Sequence, residues 1–210
     1  MKLVDMQVTD YLDILASDAP APGGGSAAAL CGAQGIGLTT MVAGQTSIKK
    51  AYEADWPLCH EIMEEGKGLF EALTAQVDKD TDAYNLVAAA FKLPKTTDEE
   101  KAVRRAEIAK ATLVATEVPF ETLQLAARSL ELADKLLGHY NTNCASDLGV
   151  GGLNLHTCVH GAWLNVLINL GGVKDAEKAA YFESEGKRLV AHSDEIAARI
   201  QATVNKDIVG

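Results

Sequence analysis

The sequence predicts an all-α fold, and three features carry that expectation. Apolar residues recur at three- and four-residue spacing along most of the 210 residues, while strand-like alternation is scarce. The breaks between periodic runs fall at Leu93-Pro94, Gly138 and Gly171-Gly172. Thr97-Asp98-Glu99-Glu100 has the form of a capping box, with an acid three residues after the capping hydroxyl. No repeat, low-complexity tract or Pro/Gly/Ser-rich linker divides the chain, so residues 1–210 are expected to form one domain, a bundle of about five to seven helices.

Taken in order, Val8, Tyr11, Leu12 and Leu15 mark a first short helix. A segment free of Asp, Glu, Lys and Arg then runs from Ala19 to Ile48. It opens at Pro22-Gly23-Gly24-Gly25-Ser26, where Ser26 is expected to cap the helix begun by Ala27 to Leu30. This segment is long enough to span a bilayer. Its richness in Gly and Ala and its polar Gln34, Thr39, Thr40 and Gln45 instead predict a helix surrounded by protein. Ala28, Gly32, Gly35 and Gly44 would allow neighbours close approach, within the fold or across a dimer interface.

Leu58, Ile62, Leu69, Leu73, Val77, Tyr84 and Val87 predict a long helix over 52–91. The capping box starts the next, running to Leu137, with a kink or break expected at Pro119. After a polar turn at His139 to Asn143, Ser146 or Asp147 would start a helix carrying Val150, Leu153, Val159, Trp163, Val166 and Leu170. A final amphipathic helix is expected from about Asp175 to Val204.

A formal net charge of -10 with no local cluster of Lys and Arg argues against nucleic acid as a partner. Residues 1–9 show no basic flank followed by an apolar stretch, and Cys31, Cys59, Cys144 and Cys158 are widely spaced in apolar surroundings. Reduced thiols, a cytoplasmic location and no membrane association are the expectation.

Four groups of residues have the makings of chemistry. The Gly23–Gly25 backbone and Ser26, at a helix entry, suit a carboxylate, a phosphate or the polar edge of a heterocycle, although a glycine-rich helix entry can also serve structure alone. In Asp78-Lys-Asp80-Thr-Asp82-Ala-Tyr84-Asn85, Asp80 and Tyr84 share a helical face; the cluster is either an acid/base pair or a solvated acidic stretch. Asn141-Thr-Asn143-Cys-Ala-Ser-Asp147 sets two amides and a carboxylate before an apolar helix, a pattern that turn and cap formation also explain. His156 and His160 lie one helical turn apart, but the sequence offers no third ligand nearby, and no metal is assigned. Cations for an anionic ligand are Lys49-Lys50, Lys92, Lys95 and Arg104-Arg105.

Together these segments resemble the cyclodeaminase/cyclohydrolase family of folate enzymes. The resemblance rests on Pro20-Ala-Pro-Gly-Gly-Gly-Ser-Ala-Ala-Ala29, Asp80-Thr-Asp-Ala-Tyr-Asn-Leu-Val87 with Lys92-Leu-Pro-Lys95, and Thr97 to Lys101. It continues through Ala115-Thr-Glu-Val-Pro-Phe120, Asn141 to Val150 and Leu164-Asn-Val-Leu-Ile-Asn-Leu170, in family order. The resemblance implies an all-helical homodimer or larger assembly that binds a tetrahydrofolate derivative, including polyglutamylated forms, and needs no other cofactor. The implied reaction is ring closure of 5-formimidoyltetrahydrofolate to 5,10-methenyltetrahydrofolate with loss of ammonia. The alternatives are hydrolysis of the methenyl compound to 10-formyltetrahydrofolate, or folate binding without turnover. On this reading the glycine loop, Asp80 with Tyr84 and Asn85, and the turn at 141–147 are walls of one pocket. Asp147 and Asp80 would transfer protons. Asn141 and Asn143 would orient the pterin, Gly23, Gly24, Gly25 and Ser26 would bind a polar edge, and Lys49, Lys50 and Lys92 would hold the glutamate tail. No role is implied for His139, His156 or His160, which depart from the family pattern.

Overall fold

A computed structural model describes residues 2–210. Six α-helices follow one another: α1 (Val8–Leu15), α2 (Gly24–Ser47), α3 (Trp56–Phe91), α4 (Asp98–Lys135), α5 (Ala145–Leu170) and α6 (Ala176–Val209). Short 3-10 turns occupy Leu3–Asp5, Lys50–Asp55 and Thr142–Cys144, and no strand occurs among the described residues.

The capping box is present in full. Thr97 Oγ1 accepts from the Glu100 N–H at 3.2 Å, and Glu100 returns a carboxylate to the Thr97 N–H at 3.1 Å. Gly138 supplies the left-handed turn after α4, at φ 79°. Asp175 caps α6 by accepting from the N–H groups of Glu177 and Lys178. That helix continues to Val209, beyond the expected Val204.

α2 is the central element, packed between α3 and α5 and touching α4. By length and composition alone it could cross a membrane, but its small residues instead form an antiparallel seam with α5. A Cβ built on Gly24 would face Asn165, one on Gly32 would meet Cys158, and one on Gly35 would meet Leu155 and the Gly151 carbonyl at 2.6–2.8 Å. The two backbones can approach this closely only because Gly35 has no side chain. α3 runs antiparallel on the other side of α2, with Asp80 beside Gly25 and Gly66 beside Thr40. The main core lies between α2, α3, α4, α5 and α6, centred on Ile36, Ile62, Leu73, Leu123, Leu130, Leu148, Leu155 and Ile200, all fully buried.

Three local expectations are corrected. Ser26 is not the cap of α2: the helix starts at Gly24 with Gly23 as the capping residue, and the Ser26 hydroxyl turns inward to donate to the Val77 carbonyl at 2.7 Å. α5 begins at Ala145, before Ser146 and Asp147, because the 3-10 turn at 142–144 leads directly into it. Pro119 does not interrupt α4. It leaves the Ala115 carbonyl without its helical donor, and the Asn169 side chain of α5 donates to that oxygen at 3.0 Å.

Candidate functional site

At the N-terminus of α2 two of the sequence's candidate segments meet, the glycine loop and the stretch around Asp80. Asp80, on α3, seats its carboxylate over the first turn of α2, accepting from the Ser26 N–H at 3.0 Å and lying 3.4 Å from the Ser26 hydroxyl. The negative side chain thus serves as a cap donated by a different helix, at the positive end of the α2 dipole. Gly25 makes the contact possible, since a Cβ there would occupy the space of the Asp80 carboxylate. Burial pushes the Asp80 carboxyl above its ordinary value, against the opposing effect of the two Ser26 hydrogen bonds.

The carboxylate forms the floor of a cavity of about 310 Å³. Pro20, Gly23 and Gly24 give one wall, Tyr84 and Val87 of α3 another, and Asn165, Ile168 and Asn169 of α5 a third. The N–H of Gly24 belongs to the first turn of α2, where backbone donors have no helical partner.

Asn165 and Asn169 are the residues the sequence reading left without a role. Asn165 Nδ2 donates to the Gly161 carbonyl at 2.9 Å, while Asn169 Nδ2 donates to the carbonyls of Ala115 and Asn165. A carbonyl can only accept, so these bonds fix both amides with nitrogen toward the backbone and leave each Oδ1 as an acceptor. Pro119 is thereby tied to the site, since its missing N–H frees the Ala115 oxygen that anchors Asn169. The available signal was two amides one turn apart on an otherwise apolar helix, Leu164 to Leu170.

Other expected residues lie elsewhere. The α2–α5 register sets Thr46 beside the 141–147 turn, where Thr46 Oγ1 accepts from the Asn141 N–H at 2.9 Å. Ser26 and Thr46 are twenty residues apart on one helix, so the turn lies about 30 Å from the Asp80 cavity. Within one protomer Asn141, Asn143 and Asp147 are therefore not walls of the Asp80 pocket, and Asp147 and Asp80 are not a pair. Lys49 and Lys50 follow the distal end of α2 and are equally remote. Lys92 is the exposed C-cap of α3. Asn85 is exposed and turned off the cavity face.

The distal cluster is organised in its own right. Asn143 N–H donates to Asn141 Oδ1 at 3.2 Å, and Thr142 N–H to the Tyr52 hydroxyl at 3.3 Å. Burial and the nearby Asp147 charge push the Cys144 thiol up, with Lys49 opposing.

The model of the formiminotransferase-cyclodeaminase family matches residues 7–207. This chain belongs to that family. The methenyltetrahydrofolate cyclohydrolase of Methylorubrum extorquens is 38% identical over 204 residues, covering 96% of this chain and 97% of that protein. The formimidoyltransferase-cyclodeaminase of Gallus gallus is 32% identical over 203 residues, which are 96% of this chain but 37% of the chicken protein. Among solved structures, the formiminotetrahydrofolate cyclodeaminase of Thermotoga maritima superposes with a TM-score of 0.79 at 25% identity, covering 97% of this chain and 96% of that one. For a member of this family, the cavity at the α2 N-terminus holds a half-buried carboxyl of raised pKa, free backbone donors and two oriented amide oxygens. That set can bind a polar heterocycle and move a proton beside it.

Proposed function

We propose that this chain is a cytoplasmic enzyme of tetrahydrofolate-bound one-carbon units, with Asp80 as the proton-transfer carboxylate. The observation that carries this reading is the Asp80 carboxyl, raised in pKa and seated on the α2 N-terminus inside a cavity lined by Asn165 and Asn169.

In ring closure, folate N10 attacks the carbon of the protonated formimidoyl group on N5. Asp80 takes the N10 proton and delivers it to the departing amine, so that ammonia leaves and the methenyl bridge forms. In hydrolysis, Asp80 takes a proton from water as its oxygen adds to the methenyl carbon. The C–N5 bond then opens as N5 receives that proton, the hydroxyl proton is released to solvent, and the resulting formyl group stays on N10. Both routes pass through closely related tetrahedral species, which one cavity can stabilise. The Asn165 and Asn169 oxygens would accept from the pterin N–H groups, and the Gly24 N–H would donate to a pterin or hydroxyl oxygen. No cofactor besides the folate enters either route. The hydrolytic route is favoured by one observation, the 38% identity to a cyclohydrolase over nearly the full length of both chains.

The glutamate tail, including longer polyglutamates, would leave the cavity along the apolar groove of Leu86, Ala90, Val103 and Val114. It would end at Lys92, Lys95, Arg104 and Arg105 around the α3–α4 turn. This replaces Lys49 and Lys50, which are too distant from the cavity. The working form would be a homodimer: Leu164 and Ile168 on α5, 66% and 81% exposed, place an apolar patch at the cavity mouth.

The test is to supply 5-formimidoyltetrahydrofolate and, separately, 5,10-methenyltetrahydrofolate while following methenyl absorbance in the near ultraviolet. Methenyl formation with ammonia release supports ring closure, and accelerated methenyl loss supports hydrolysis. Silence in both assays refutes the enzymatic reading.

A further inference from the structure

The histidine pair that the sequence left without a role acquires a third partner in three dimensions. His156 and His160, one turn apart on α5, both turn their Nε2 atoms toward α6, where each lies 2.7 Å from the same oxygen, Asp194 Oδ1. The two Nε2 atoms are 3.1 Å from each other. Three potential ligand atoms from two helices therefore converge on one point. The sequence could not show this, because Asp194 lies 34 residues beyond His160.

We propose that His156, His160 and Asp194 form a binding site for a divalent transition metal, best suited to zinc. Four arguments support it. The donor set is two imidazoles and a carboxylate, which zinc accepts readily, at about 2.0–2.2 Å per ligand. Ligands at those distances around a tetrahedral ion are about 3.3 Å apart. The present separations are shorter by about 0.2–0.6 Å than that spacing, an adjustment within reach of half-exposed side chains. Both histidines face a single carboxylate oxygen, so one cation at that point would meet all three groups. The chain's net charge of -10 favours a cation entering a site whose ligands contribute one negative charge.

The site is open on one side. A cavity of about 330 Å³, lined by Gly152, Leu153, Ala197 and Gln201, adjoins His156 and Asp194. Three protein ligands with a fourth position facing a cavity is an arrangement that leaves room for water or an exchangeable ligand. Bound metal would clamp α5 to α6. It would act on the opposite side of α5 from Asn165 and the folate cavity, so the site is independent of the proposed reaction.

The experiment uses tag-free protein stripped with a chelator. Zn²⁺ is titrated by calorimetry, and Co²⁺ is titrated while its visible d–d bands are recorded. One equivalent per protomer and a four- or five-coordinate cobalt spectrum are expected. His160→Ala and Asp194→Asn should each weaken Zn²⁺ binding at least about tenfold, since even outer partners of a metal site matter on that scale. His192→Ala, whose imidazole faces Glu131 rather than the site, should bind as the parent does. Far-ultraviolet dichroism identifies a variant that fails to fold, in which case His156→Gln takes its place. Binding that is absent, or that persists unchanged in a folded variant of any of the three ligands, overturns the proposal. Persistence would place the ion elsewhere on the protein.

Discussion

Replacing Asp80 by Asn separates what this carboxyl does for the fold from what it does for chemistry. The amide is nearly isosteric, and its oxygen can still accept from the Ser26 N–H, so the α2 N-terminus keeps its cap. The sign of the stability effect follows from the pKa. An acid whose folded pKa lies above its unfolded value binds more protons when folded, so its contribution to stability falls as pH rises through the window between the two. Above that window the buried charge is a net cost. Asp80→Asn should therefore be neutral or stabilising in thermal melts at neutral pH and lose that advantage in acid. Turnover should move the other way. Loss of a positioned general acid/base lowers rates by about 10²–10⁴-fold, or about 3–5 kcal/mol of transition-state stabilisation. The assay is the methenyl absorbance change, with kcat and KM resolved separately. The expected variant has an unchanged KM, a depressed kcat and no acidic limb in its pH profile. A drop in folate affinity matching the loss of kcat, or a large fall in melting temperature, would refute the argument and reduce Asp80 to a structural cap.

Gly25→Ala should reproduce the catalytic loss and also cost about 1–3 kcal/mol of stability, because the new methyl displaces the Asp80 carboxylate; urea melts alongside the turnover assay check both halves. Pro119→Ala should leave stability nearly unchanged or raise it, since proline costs about 3 kcal/mol inside a helix. The restored N–H would compete with Asn169 for the Ala115 oxygen, so folate KM should rise, and an unaltered KM would dissociate Pro119 from the site. Thr97→Ala should cost about 1 kcal/mol through loss of the capping box, read as a shift of the urea midpoint with activity intact. Finally, should Asp147→Asn lose turnover as Asp80→Asn does, mixing the two chains should restore activity if the distal turn of one protomer completes the cavity of its partner. No recovery in mixed dimers would confine the site to one chain.

Much of the fold was legible because its signals are local. The capping box at Thr97, the left-handed Gly138 and the apolar periodicity of α3 need only neighbours along the chain to be recognised. Pro119 breaks no helix for a related reason: locally it removes a helical donor, but the Asn169 amide satisfies the carbonyl it strands and α4 runs on through it. The site was half legible. The glycine loop and Asp80 were each visible, yet their contact depends on α3 running antiparallel to α2, which sets residue 80 against residue 25.

The same antiparallel geometry explains why the 141–147 turn lies away from the cavity and why Asn165 and Asn169 line it. α2 and α5 pair so that the residue numbers in contact sum to nearly a constant, as at 24 with 165, 28 with 161 and 32 with 158. Continued along the seam, the rule carries the turn at 141 to Thr46. Asn165 and Asn169 thus arrive at the glycine loop, while Asn141, Asn143 and Asp147 are held at the far end of the bundle. Residue type alone ranks the 141–147 cluster above the two amides of α5, because it holds more polar groups and a carboxylate. Register reverses that order within the protomer, and register is fixed by which glycines let the two helices touch.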